Sequence, residues 1–208
     1  MLLKGKNGGQ MIFQILDDKR DCLGLFSGGK FYYGQIKRSF EKTWDWSPHL
    51  SDDDYDYARI WCGGKSLEEV CPEELKDRYE VYKRKVRNFI KAAAIAKIQL
   101  SDVCLFDMIP QQSLLHWCEV KSEICQHVFN IYPKPANHKF LIDMNKLIHE
   151  ISQKPVVLNQ EKLFIYQKAD YKAKSLWQRF GGKTPSIQYD IYGSVTGRLT
   201  TKSESFPI

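Results

Sequence analysis

The sequence predicts an α+β fold, mostly helical, and three observations predict it. Apolar residues recur at helical spacing through most of residues 66–180. The opening is aromatic-rich, alternates like strands and is punctuated by Gly28-Gly29. A second alternating stretch sets Ile187, Tyr189 and Ile191 against Gln188, Asp190 and Tyr192. The 208 residues suffice for one large or two small domains with a real core. The expected divisions are a small β-rich region at 1–65, a helical region at 66–185 and a last strand-bearing segment at 186–208.

Residues 1–10 are rich in Gly and Lys, and Met11 is a second candidate start. Met11 to Leu16 reads as a strand and Asp17 to Arg20 as a polar turn. Cys22 to Phe26 reads as a second strand, Gly28-Gly29 as a hairpin turn and Phe31 to Tyr33 as a third strand. Together they predict a small antiparallel sheet. Residues 42–58 contain Trp44, Trp46 and the run Asp52 to Asp56, and 52–56 reads as an acidic loop. A proofreading exonuclease would need a D-x-E on a strand plus two separated carboxylates, and neither this run nor Asp17-Asp18 has that spacing.

Ser66-x-x-Glu69 forms a capping box for a short helix. Pro72 suits the first turn of a long one, with Glu73, Glu74 and Asp77 near its positive end. Leu75, Tyr79, Tyr82, Val86, Ile90 and Ala93 make one apolar stripe. A loop closed by Pro110 precedes a helix from about Ser113. That helix carries two neighbouring stripes, Leu114, Trp117, Lys121, Ile124 and Val128, then Leu115, Cys118, Cys125 and Phe129, so it is expected at the centre. Tyr132 to Pro135 breaks it. Residues 138–153 predict a further helix, Val156 to Leu158 a short strand, and 160–180 one last helix capped by Gly181-Gly182. In that helix Phe164, Tyr166, Tyr171, Trp177 and Phe180 are expected in the core, leaving Lys162, Lys168, Lys172, Lys174 and Arg179 outside.

Composition narrows the function. No apolar run approaches the roughly 20 residues of a membrane span, and no signal-peptide pattern opens the chain. Six cysteines, at 22, 62, 71, 104, 118 and 125, form no C-x-x-C. Cys118 and Cys125 are read as buried and His116 and His127 as partly buried helix residues, and no metal site is assigned. A reduced, cytosolic protein is expected.

The net charge is +6 and uneven. Residues 71–97 hold 8 Lys/Arg against 4 Asp/Glu, and residues 160–208 again 8 against 4. The stretch 81–97 holds six basic residues and no acid. Lys83, Arg84, Lys85 and Arg87 thus offer a face for a polyphosphate ligand.

The motif that gives this charge a meaning is Thr196-Gly197-Arg198-Leu199-Thr200-Thr201. It resembles the T-G-R-L-S-S segment that enters the palm of family A DNA polymerases, most closely phage-type members. The strings Trp61 to Leu67 and Leu105 to Pro110 resemble the region before the palm in such members. The resemblance implies that Arg198 contacts the primer-template duplex, supported by the backbone of Thr196, Gly197, Thr200 and Thr201. It implies a thumb region within 98–185, palm-entry strands after 186 and a bacterial or phage-infected cell as the setting. It departs at Ser203 to Ile208, where the family's P-N-L-Q-N-I-P is not found.

In that family the D-Y-S-x-x-E-L-R and H-D-E carboxylates hold two Mg2+ ions, and a K-x-x-x-F-x-x-x-Y-G helix holds the nucleoside triphosphate. All lie downstream of the T-G-R-L segment, and this sequence contains none of them. The implied function is template-directed DNA synthesis by a parent protein, of which this is an amino-terminal fragment. The alternative is a non-enzymatic, basic DNA-binding replication-accessory protein. Two-metal phosphoryl transfer needs paired carboxylates, so residues 1–208 are expected to show no primer extension with Mg2+ and nucleotides. Extension above a blank in a radiolabelled-primer assay would reveal an overlooked site.

Overall fold

The computed structural model describes residues 12–16, 23–33, 41–50, 55–98, 108–194 and 198–202. The turn at 17–20, Cys22, Asp52 to Asp54, Leu105 to Asp107, Thr196, Gly197 and the segment from Ser203 lie outside them. The fold is mostly helical α+β. The chain divides into two compact units, 1–138 and 139–208.

The first unit opens with a meander of β1 (Ile12–Leu16), β2 (Leu23–Ser27) and β3 (Lys30–Tyr33), antiparallel and in sequence order. Ser27 pairs with Lys30, so Gly28 and Gly29 form a two-residue turn, at φ +55° and +75°. Leu25 and Phe26 point to opposite faces, yet both are buried, so the middle strand is covered on both sides.

The stretch read as an acidic loop is partly core. Lys42–Thr43 (β4) pairs in parallel with Asp56–Tyr57 (β5). A single helical turn, α1 (Ala58–Trp61), follows directly. Tyr55, Tyr57, Ala58 and Ile60 are buried, while Asp56 reaches out to Lys134 at 3.1 Å.

The capping box at Ser66 forms, with Ser66 N–H donating to Glu69 Oε2 at 2.7 Å and Glu69 N–H to Ser66 Oγ at 3.3 Å. It closes a turn and not the short helix expected, because Pro72 holds the backbone extended two residues after that turn. The long helix α2 then runs Glu73–Ile95. It packs on α3 (Gln111–Ile131), which also lies against α1 and β1.

The two stripes of α3 are both covered. Leu114, Trp117, Cys118, Val120, Ile124, Cys125 and Val128 are buried. From α2, Tyr79, Val86 and Ala93 are buried. Tyr79 lies 5.2 Å from Trp117 between ring centroids, and Arg78 forks onto Glu123 at 2.8 and 2.6 Å.

The helix α4 (His138–Ser152) begins at the division between the units. In the second unit, Val156 to Leu158 is no strand. Pro155 makes one bridge to Ser186, and Val156 N–H donates to Pro185 O at 2.8 Å. The single helix expected over 160–180 is two, α5 (Gln160–Tyr166) and α6 (Tyr171–Phe180). Asn159 and Asp170 each cap a start, accepting from Lys162 N–H and Ala173 N–H at 2.9 Å. The expected core aromatics are in part outside: neither helix buries a residue, and Phe164, Tyr166 and Tyr171 are exposed. Helices of seven and ten residues in a hairpin have too little neighbouring surface to cover their rings. Tyr189–Asp190 (β6) pairs antiparallel with Thr200–Thr201 (β7).

Ile124 is fully buried where α3 meets its neighbours. Ile124→Ala should cost about 2–5 kcal/mol of stability, read as a lower urea midpoint. A midpoint unchanged from wild type would mean that this helix is not central.

Candidate nucleic-acid interface

Two basic regions were expected, and the structure sorts their residues differently. On α2, at about 100° per residue, Lys83, Arg84, Arg87 and Lys91 fall within about 100° of arc. Lys85 lies beyond it on the other flank, its Nζ 5.0 Å from the Tyr82 ring centroid. The four residues Lys83, Arg84, Lys85 and Arg87 therefore do not form one face.

Lys83 is also engaged. Its Nζ donates to Glu68 and, at 3.1 Å, to Glu80. The Glu68 hydrogen bond pushes its ammonium pKa up. Arg84, Arg87 and Lys91 are exposed, and no carboxylate pairs with them among the described residues. Glu80, Lys83, Arg84 and Arg87 enclose a shallow concavity of about 230 Å³. The free cations of this face are thus Arg84, Arg87 and Lys91.

The second region is the β6–β7 hairpin. Arg198 is exposed, and its backbone N–H donates to Ser194 Oγ at 3.0 Å. Thr200 and Thr201 form β7, with Tyr189 opposite Thr201 and Asp190 opposite Thr200. Thr200 Oγ1 donates to Asp190 O at 3.4 Å, and Lys202 N–H to Gln188 O at 2.8 Å. Leu199, beside Arg198, is 46% exposed.

Gly193 has a role that its sequence position alone did not show. A Cβ there would stand 1.7 Å from Thr200 Oγ1. Only glycine lets Thr200 close onto the strand end.

The remaining candidates point to the core. Cys118 and Cys125 are fully buried, and burial pushes the Cys118 thiol up to about 12 and the Cys125 thiol higher still. His116 stacks on Tyr82 and meets Glu119 at 3.0 Å. Lys121, the polar member of an apolar stripe, lies 4.5 Å over the Trp117 ring, and burial pushes its ammonium down to about 8. Among the described residues, no group of three His, Cys, Asp or Glu could hold a metal ion, and no helix is long and apolar enough to cross a membrane.

Gly193→Ala should open the β6–β7 pairing by displacing Thr200. Hydrogen exchange at Lys202, whose amide closes the ladder, should accelerate in the variant, with the first unit unchanged. Unaltered exchange there would show that the close approach is dispensable.

No protein-family model, no curated protein and no solved structure matches this chain.

Proposed function

We propose that this chain is the primer-template-binding, amino-terminal part of a family A DNA polymerase. The observation that carries the reading is Arg198. It stands exposed at the entry to β7, within the Thr196 to Thr201 segment that resembles the family's palm entry. A guanidinium is a planar, permanently charged fork that can donate to the acceptors along a minor groove. The Arg84, Arg87 and Lys91 arc supports the same reading from a second place, since unpaired cations on a helix face suit a phosphate backbone. Thumb-like grip by residues between 98 and 185, catalysis with Mg2+ and use of deoxynucleoside triphosphates belong to the parent enzyme. The basic arc alone would equally suit a non-enzymatic accessory protein; the palm-entry resemblance around Arg198 favours the polymerase.

The test has two arms. Residues 1–208 should bind duplex DNA without sequence preference and lose affinity steeply with salt. Arg84→Gln with Arg87→Gln should lower the slope of log affinity against log salt by about two, and an unchanged slope would exclude this arc from the contact. In the full-length parent, Arg198→Ala and Arg198→Lys should each weaken extension of a paired primer by about 1–3 kcal/mol of transition-state stabilisation. Wild-type extension by both variants would remove Arg198 from the interface, and a parent that extends no primer at all would remove the polymerase reading.

A further inference from the structure

The strongest feature outside these two regions is the α5–α6 hairpin. The helices meet through Phe164 and Trp177, edge to face at 5.2 Å. Between them lies an open, largely apolar cleft of about 440 Å³. Leu158, Leu163 and Leu176 line it, and Lys162 and Tyr166, one helical turn apart, line it beside them. Tyr166 is 58% and Tyr171 86% exposed. Rings this exposed contribute little to the core, and a contiguous exposed apolar patch is what marks an interaction site.

Lys162 and Asp170 are the charged residues that line the cleft, and the charge of the hairpin that carries it says what would cover it. From 159 to 183 there are six basic residues, Lys162, Lys168, Lys172, Lys174, Arg179 and Lys183, against Glu161 and Asp170. Asp170 is turned to the Ala173 N–H at the start of α6. The occupant must therefore be anionic and must also offer flat apolar faces. A duplex hides the faces of its bases, whereas a single strand exposes them next to its phosphates.

We propose that the α5–α6 hairpin binds single-stranded nucleic acid, with Tyr166 and Tyr171 stacking on bases and Lys162, Lys172 and Lys174 holding phosphates. This deepens the DNA-binding reading above and rests on it for the biological setting, but on different residues from the duplex contact.

The test is fluorescence anisotropy with residues 1–208 and three labelled probes: an oligothymidylate, an abasic strand of equal length and a duplex. The oligothymidylate should bind about tenfold more tightly than the abasic strand, as stacking of one or two bases requires. Tyr166→Ala with Tyr171→Ala should remove that difference, and Phe at both positions should keep it. Duplex affinity and its salt slope should not change, because both tyrosines are exposed and the α2 arc is intact. Equal binding of the abasic strand, or no effect of the alanine pair, overturns the proposal. So does displacement by polyglutamate as effective as by unlabelled oligothymidylate, which would point to an acidic peptide. A dimer that dissociates in the alanine variant and binds no single strand would assign the face to a second copy of the chain, and also overturns it. Loss of stacking with duplex binding intact sinks this inference alone; absent duplex binding with stacking intact sinks only the duplex reading.

Discussion

The packing of α2 on α3 is the contact that the first unit depends on. Tyr79, Val86 and Ala93 present one stripe, and α3 answers with Leu114, Trp117, Cys118, Val120, Ile124, Cys125 and Val128, all buried. Because α3 also lies against α1 and β1, its two apolar stripes are used at once. Its solvent side carries Gln111, Gln112, Glu123, Gln126 and Asn130, while Lys121, in line with an apolar stripe, lies over the Trp117 ring. The Arg78–Glu123 fork lies at the edge of the same contact, where it fixes register more than it adds stability.

That packing also decides which charges are available to a ligand. Once the stripe of α2 faces α3, its helical period turns Arg84, Arg87 and Lys91 to one exposed side and Lys85 to another. The turn closed by Ser66 and Glu69 brings Glu68 up to Lys83 and neutralises it. A run of five basic residues in the sequence is thus three free cations on one face. Counting charge along a chain overstates the field at a surface when neighbouring segments supply the counterions.

The parts of the fold legible in the sequence are those with a strong local signal. The meander has a period of two and a Gly-Gly turn, and both long helices carry unbroken stripes. Residues 55–60 were not legible, because Asp56 interrupts a run whose Tyr55, Tyr57 and Ile60 are core; the acidic neighbours masked the tyrosines. The break between α5 and α6 had a signal, Asp170 three residues before Ala173, which reads as a cap once the possibility of two helices is weighed. The exposure of Phe164, Tyr166 and Tyr171 had none, since helical spacing places apolar residues together without saying that anything covers them. At the candidate site, the residue types around Arg198 were legible as a motif. The dependence of that hairpin on Gly193 was not, because the atom it must avoid belongs to Thr200, seven residues further on.

The four described cysteines, Cys62, Cys71, Cys118 and Cys125, are all buried and all have thiols pushed above their ordinary range by desolvation. A thiolate is the species that reacts with alkylating agents, and these groups are protonated and shielded together. They sit in the same cluster as Tyr79, Val86 and Ile124. Their reactivity is therefore tied to the opening of α2 from α3 and not to any property of the sulfur itself. The first unit carries its own clock: the rate at which these thiols become alkylated measures how often its interior is opened to water.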